Sequence, residues 1–157
     1  MKICCFTGHR TIKEKDRAAL VSLVDATLKR LYDEGFREFR TGGARGFDTL
    51  AALRVMALQK KKNDCQLVLI LPCRDQSKAW SVGDRAVWQD IHDGANTVRC
   101  MYEEYTPECM HARNRALVDG SDLCVAYLTE NRGGTLYTCS YALKSGVELL
   151  NLAEEQH

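Results

Sequence analysis

Three short, continuously apolar segments most constrain the fold of this chain. They occupy residues 3–6, 67–71 and 123–128. A strand that is apolar on both faces has to be covered by helices on both sides of its sheet. Segments with helical periodicity separate these three strands, and no internal repeat is present. The sequence therefore predicts a mostly parallel sheet between two layers of helices.

Three weaker strand candidates complete this pattern. Residues 36–41 and 97–102 have strand character but are more polar than the first three segments, which favours positions nearer an edge of the sheet. Residues 147–152 are a candidate last strand.

Five helices are predicted between the strands. The first presents an apolar stripe, begins with a capping box formed by Thr11 and Glu14, and ends at Gly35; its stripe is Leu20, Leu23, Val24, Leu28 and Leu31. The second runs from about residue 47 to 61, the fourth over about 107–118, and the fifth over 135–145 before Gly146. The third carries on one face Trp80, Val87, Trp88 and Ile91. This strand–helix alternation implies right-handed crossovers and an α/β fold, Rossmann-like and doubly wound, with helices on both faces of the sheet.

The length and composition are those of one ordinary globular domain, spanning residues 1–157. Of these residues, 45% are hydrophobic and 27% charged, and the net charge is +1. No apolar segment approaches the ~18 residues that a membrane span needs, and we expect no secretory leader at the N-terminus. We expect a soluble, cytoplasmic protein with no membrane partner. The eight cysteines include no CxxC pair, so we expect free structural thiols and no metal site.

Loops that contain glycine follow three of the predicted strands, at residues 7–10, 42–48 and 131–135. In a parallel sheet, ligands bind beyond the carboxyl ends of the strands. Glycine permits close approach of the backbone, and a helix N-terminus offers unpaired N–H groups to an anion. The three loops predict a nucleotide-like ligand; alternatively, their glycines only form tight turns. Neither GxGxxG nor a Walker motif is present, so ATP hydrolysis is not expected.

Two polar residues, Arg113 and Asn114, fall on the core-facing side of the fourth helix. The other residues of that face are Met110, Leu117 and Val118. A polar side chain on a core-facing surface needs a partner. Arg113 pairs either with an acid such as Asp119 or Asp122, or with a ligand phosphate or ribose. The sequence leaves both alternatives open.

Histidines and tyrosines are further candidates for the site. His9 lies in the first glycine loop, either as a hydrogen-bond donor or surface residue or as an acid–base group. A zinc site built from His9, His111 and the cysteines lacks recognisable spacing. Five tyrosines offer a stacking surface for a base or simply cover the edges of the core; they are Tyr102, Tyr105, Tyr127, Tyr137 and Tyr141.

Several motifs together resemble a known superfamily. GGARGFD at residues 42–48, SDLCVAYL at 121–128 and GGTLYTCSYALKSG at 133–146 resemble segments of bacterial DNA-processing protein A. CMHAR at residues 109–113 resembles the MHxRK signature of the cytokinin-activating phosphoribohydrolases. Both groups belong to the SLOG superfamily of Rossmann-like nucleotide-binding domains. The chain opens with TGHR at residues 7–10 and is most similar to the YpsA-like branch, over roughly residues 2–152.

The resemblance implies a pocket for a nucleotide or nucleotide derivative, such as an ADP-ribose-like molecule, at the C-terminal edge of the sheet. Backbone N–H groups of residues 42–46 and 133–135 would hold phosphates, and Arg10 and Arg113 would neutralise them. Asp48 or Asn114 would bond ribose hydroxyls or cap a helix. No catalytic residue is assigned, and no cofactor other than the nucleotide-derived ligand is expected. The candidate ligand-binding residues are Thr7, Gly8, His9, Arg10, Gly42, Gly43, Ala44, Arg45, Gly46, Asp48, Arg113, Asn114, Gly133, Gly134 and Thr135.

Three functions fit these features: regulatory binding of a nucleotide derivative, hydrolysis of a nucleotide N-glycosidic bond, and binding of single-stranded nucleic acid. The phosphoribohydrolases have a glutamate where this chain has Thr138, which argues against hydrolysis. A net charge of +1 argues against nucleic acid. However, residues 1–62 hold 14 Lys and Arg against 7 Asp and Glu, which forms a basic face unless the two halves of the chain intermix. A second copy of the chain is a further candidate partner.

Overall fold

The computed structural model describes residues 1–154. One sheet contains six parallel strands in the order β4-β3-β2-β1-β5-β6. The strands are β1 (Lys2–Gly8), β2 (Phe36–Thr41), β3 (Gln66–Cys73), β4 (Thr97–Tyr102), β5 (Leu123–Tyr127) and β6 (Glu148–Asn151). This arrangement confirms the predicted Rossmann-like α/β fold and each of its predicted strands.

Five helices connect the strands and cover both faces of the sheet. They are α1 (Glu14–Asp33), α2 (Phe47–Gln59), α3 (Val82–Gly94), α4 (Cys109–Val118) and α5 (Gly133–Lys144). Helix α2 packs against both α1 and α3 on one face, and α4 packs against α5 on the other. The sheet has a hydrophobic core on each of its two faces. Strand β3 is continuously apolar because Leu67 and Leu69 belong to one core, whereas Val68 and Ile70 belong to the other.

The polar strand β2 is not near an edge, contrary to the prediction, but lies between β1 and β3. Its polar side chains are neutralised within the fold: Arg40 Nε donates to Glu38 Oε2 at 2.6 Å, and Arg40 Nη1 donates to the Asp119 carbonyl at 2.7 Å. Strand β4 is an edge strand, as predicted.

Three local predictions about the helices were wrong. Helix α1 has no capping box, because Lys13 occupies the N-cap position and no side chain bonds the first turn. Trp80 precedes α3, whose cap is Ser81; its hydroxyl accepts from the Asp84 N–H at 3.1 Å. Met110 is 37% exposed instead of facing the core. The termination of α1 at Gly35 was correct.

The cysteine side chains are free thiols, and all but Cys100 are buried. Burial raises the pKa of Cys73 to about 12 and that of Cys139 to about 11, so these thiols stay protonated at neutral pH. Within residues 1–154, no three His, Cys, Asp or Glu side chains are placed to hold a metal ion. None of the helices described above is long and apolar enough to cross a membrane.

Candidate functional site

A cleft of about 750 Å³ opens at the carboxyl ends of β1 and β5. The chain leaves these two neighbouring strands in opposite directions, toward β2 and toward β6, so the connecting loops separate there. Such a topological switch point is where doubly wound folds bind ligands. The predicted site residues that line the cleft are Thr7, Gly8, His9, Arg10, Ala44, Asp48, Arg113, Asn114, Gly133, Gly134 and Thr135.

The remaining predicted residues belong to the second glycine loop and do not line the cleft; they are Gly42, Gly43, Arg45 and Gly46. Gly43 has φ +75°, and a Cβ atom there would lie 2.7 Å from Leu71 Cδ2. Gly46 has φ +77° and packs on the backbone of the loop after β1. These glycines satisfy packing and backbone conformation, which is the alternative that the sequence had left open for this loop.

Arg45 also turns away from the cleft. Its guanidinium lies 5.0 Å from the centroid of the Trp80 ring, and Nη1 lies 4.0 Å from Asp84 Oδ2. Only Ala44 of residues 42–46 reaches the cleft. The loop after β2 thus forms a supporting wall, instead of the phosphate cradle that we had predicted there.

Two buried residues of opposite charge, Asp48 and Arg113, lie at the floor of the cleft. Arg113 is 4% exposed and Asp48 5% exposed. Arg113 Nη1 donates to the Gly42 carbonyl, Arg113 Nε donates to Asn114 Oδ1 at 2.8 Å, and Asp48 Oδ2 accepts from the Ala44 N–H at 3.2 Å. A Cβ atom on Gly42 would lie 2.6 Å from Arg113 Nη1, so this glycine makes room for the guanidinium.

Burial raises the pKa of Asp48 to about 6, although the positive charge of Arg113 acts in the opposite direction. Burial likewise lowers the pKa of Arg113. The acid that faces Arg113 is therefore Asp48, and neither of the two acids predicted as partners. Those two bond elsewhere: Asp119 Oδ1 accepts from the Tyr141 hydroxyl at 2.7 Å, and Asp122 Oδ2 from the Ile3 N–H at 2.8 Å.

His9 joins the two loops that border the cleft. Its Nε2 atom accepts hydrogen bonds from the backbone N–H groups of Thr129 at 3.1 Å and Glu130 at 3.2 Å. The Nε2 atom of His9 is thus an acceptor, a role that was not among those the sequence offered, which were a donor, a surface residue or an acid–base group. Partial burial lowers the pKa of His9, which favours the neutral imidazole that this contact requires.

The N-terminus of α5 opens into the cleft through Gly133, Gly134 and Thr135. No side chain among the described residues caps this helix, so its first N–H groups remain available. Thr138 is fully buried, and its hydroxyl donates to the Gly134 carbonyl at 2.8 Å. Thr138, which occupies the position of the glutamate of the phosphoribohydrolases, therefore forms a hydrogen bond within α5 and supplies no acid–base group.

Sequence reasoning missed other residues that line the cleft, including two cations, Lys13 and Arg132. Arg132 pairs with Glu130, whereas Arg10 and Lys13 make no ion pair within residues 1–154. Arg132 lies inside the predicted loop at residues 131–135, and Lys13 lies three residues after the loop at 7–10, so only Lys13 falls outside the segments that the sequence singled out. His111 and Tyr127, which the sequence offered as further candidates, also line the cleft. The other missed residues are Thr11, Asp16, Met110, Leu117, Thr129 and Glu130.

An aromatic pair stands at the α4 side of the cleft. The rings of His111 and Tyr137 are stacked, with centroids 3.9 Å apart and planes inclined by 4°. Arg115 Nη1 donates to the Tyr137 hydroxyl at 2.8 Å, and this bond fixes the orientation of the Tyr137 ring. His111 lines the cleft, but Tyr137 does not; of the predicted tyrosines, Tyr127 is the one that reaches the cleft within the described structure.

Residues 4–148 match the model of a family described as the YspA SLOG family. The chain is 26% identical over 146 residues to a Bacillus subtilis (strain 168) protein named uncharacterized SPbeta prophage-derived protein YoqJ. The alignment covers 85% of this chain and 82% of that protein.

Solved structures share the fold. DNA processing protein A (DprA) from Streptococcus pneumoniae matches with a TM-score of 0.67 at 15% identity, over 94% of this chain and 49% of that one. DNA processing protein A from Helicobacter pylori, whose title describes single-stranded DNA binding, matches with a TM-score of 0.68 at 21% identity, over 94% and 63%. A structural-genomics target, TM1055, matches with a TM-score of 0.62 at 16% identity, over 95% and 72%. This chain thus spans about half of one DprA structure and less than two thirds of the other.

Proposed function

The chain belongs to the YspA SLOG family, and on this premise we propose that it binds a nucleotide or a nucleotide derivative in the cleft, as a sensing or regulatory module. One observation carries the proposal. The uncapped N-terminus of α5 opens into the same cleft as Arg10 and Lys13, whose charges no ion pair within the described structure neutralises. Such a cleft attracts an anion.

The physical basis is electrostatic and geometric. A helix N-terminus carries about half a positive charge and presents N–H donors, and arginine supplies charge-assisted bonds to phosphate. The volume of about 750 Å³ lies within the range of small-molecule sites and is sufficient for an ADP-ribose-like ligand. Phosphates would lie at Gly133–Gly134 instead of at the loop after β2.

Binding is favoured over hydrolysis of an N-glycosidic bond. The hydroxyl of Thr138 is committed to the Gly134 carbonyl, so this position offers no general acid. Single-stranded DNA is the second candidate ligand, because DNA processing protein A from Helicobacter pylori, which shares this fold, is described as binding it. Phosphodiester backbone and nucleotide phosphate would use the same cations, so the experiment has to separate these ligands.

Calorimetry and thermal unfolding with ADP-ribose, AMP, ribose 5-phosphate and a single-stranded oligodeoxynucleotide test the proposal. At 100 times its dissociation constant, a ligand of the folded state stabilises it by about 2.7 kcal/mol. Binding of the oligodeoxynucleotide alone would favour the second candidate. Failure of every probe at millimolar concentration would refute the proposed function.

Gly134→Asp locates the site. A Cβ atom at Gly134 lies 3.4 Å from Asn114 Nδ2, and an acidic residue in the first turn suits a helix, so the variant should fold. Its carboxylate occupies the anion position and should weaken AMP binding about tenfold or more, since like charges 4 Å apart repel by ~4 kcal/mol near a protein surface. Arg45→Ala is the matched control, because it removes a loop cation outside the cleft and should leave affinity unchanged.

A further inference from the structure

Tyr137 covers one face of the His111 ring, and the rest of the His111 side chain is open to the cleft. Tyr137 stacks on the imidazole at 3.9 Å and lies outside the cleft lining, whereas His111 belongs to it. The part of the imidazole that reaches the cleft is therefore the part that Tyr137 leaves uncovered. The hydrogen bond from Arg115 to the Tyr137 hydroxyl holds the Tyr137 ring in place. The His111 ring that stacks on it is therefore preorganised.

Met110 extends this surface. It precedes His111 on α4, lines the same cleft, and is 37% exposed despite its apolar side chain. A thioether makes favourable contacts with aromatic rings, so Met110 offers a second contact for a ring within the same cleft. Packing of α4 against α5 accounts for the buried Leu117 and for Tyr137, but it does not require His111 and Met110 to remain exposed to the cleft.

We propose that the cleft selects ligands that carry a nucleobase, and that the base stacks on His111 and contacts Met110. This inference rests on the proposed function and deepens it, since sugar phosphates satisfy the anion site equally well. Tyr137 lies about one helical turn, ~5 Å, beyond the N-terminus of α5. A phosphate at Gly133–Gly134 and a base on His111 are therefore within reach of one nucleoside 5′-phosphate unit, and the ligand class is a nucleotide instead of a base-free phosphosugar.

The test compares AMP with ribose 5-phosphate on purified full-length protein by calorimetry. His111→Ala should weaken AMP binding by roughly 5- to 150-fold, the factor that ~1–3 kcal/mol of base–aromatic stacking represents, and should leave affinity for ribose 5-phosphate unchanged. His111→Phe should retain most of the AMP affinity, because it restores an aromatic face. His111 is exposed and alanine suits a helix, so the variant should fold.

Tyr141→Phe is the control, since it removes a tyrosine hydroxyl of α5 that bonds Asp119 and does not line the cleft. Wild-type AMP affinity in His111→Ala would overturn the inference while leaving the proposed function intact. An equal loss for AMP and ribose 5-phosphate would show that His111 supports the anion site and not the base. Absence of binding by any probe to the wild type would overturn both proposals.

Discussion

The buried carboxyl of Asp48 should make the fold less stable at neutral pH than under mildly acidic conditions. Its pKa is raised from 3.8 to about 6, so the folded protein holds this proton more tightly than the unfolded chain does. The resulting stabilisation is complete below pH 4 and is lost as the pH rises through about 6. A difference of about two pH units corresponds to about 3 kcal/mol of unfolding free energy lost by pH 7.5.

Asp48→Asn isolates this effect, because the amide keeps the shape of the carboxyl but cannot ionise. At pH 7.5 the variant should recover the 3 kcal/mol, less about 1 kcal/mol, because the single amide oxygen of asparagine cannot accept from both backbone N–H groups, Ala44 and Gly42, that bond the carboxyl. We therefore expect the variant to be about 2 kcal/mol more stable than the wild type at pH 7.5. At pH 4.5, where the wild-type carboxyl is protonated, the gain should vanish.

Urea denaturation at several pH values between 4.5 and 7.5 measures this difference directly. Asp90→Asn, at an exposed position of α3, controls for the general effect of removing one negative charge. If Asp48→Asn were less stable than the wild type at pH 7.5, the attraction of Arg113 would outweigh the burial of Asp48. The reasoning about the floor of the cleft would then be wrong.

Three further predictions concern the walls of the cleft. Arg113→Ala should lower the free energy of unfolding by about 3–5 kcal/mol at pH 7.5, because it leaves the Asp48 charge buried and unpaired. The loss should be smaller at pH 5, where Asp48 takes up a proton. Equal losses at both pH values in urea denaturation would contradict this link. The imidazole of His9 should titrate below 6.5 by NMR, and the stability from its two backbone bonds should be present above pH 6.5 and lost as the pH falls through that lowered pKa. A titration above 6.5 would argue against the acceptor role. Gly43→Glu should abolish the native circular dichroism spectrum, since φ is +75° and the new side chain meets Leu71, whereas a native spectrum would show that the loop can move aside.

The apolar strands could be predicted because their pattern is local. Alternate residues of β3 face two different cores, so the whole segment has to be apolar, and this is visible without any knowledge of its neighbours. The position of β2 could not be obtained in this way. Its polarity is compensated by the pairing of Arg40 with Glu38 and with the carbonyl of Asp119, and the second of these contacts joins residues 79 positions apart in the chain.

The sequence indicated the edge of the sheet at which the cleft lies, but not the detailed geometry of the cleft. Glycine after a strand indicates a sharp turn, but it does not show whether the turn faces a ligand or packs on the core. Gly134 lines the cleft, whereas Gly43 packs on the core, since a side chain at Gly43 would meet Leu71. The stacked pair of His111 and Tyr137 depends on the docking of α4 against α5, which no local pattern of either helix specifies.

The contact between His9 and Thr129 also bears on when the cleft can form during translation. The two residues are 120 positions apart, and translation at about 5–20 residues per second separates their synthesis by roughly 6–24 s. Strands β2 to β5 are synthesised in that interval, but the chain then still lacks α5 and β6. The cleft is consequently among the last features of the molecule to form during synthesis, and a translation product that stops before residue 133 should contain five of the six strands but lack the N-terminus of α5.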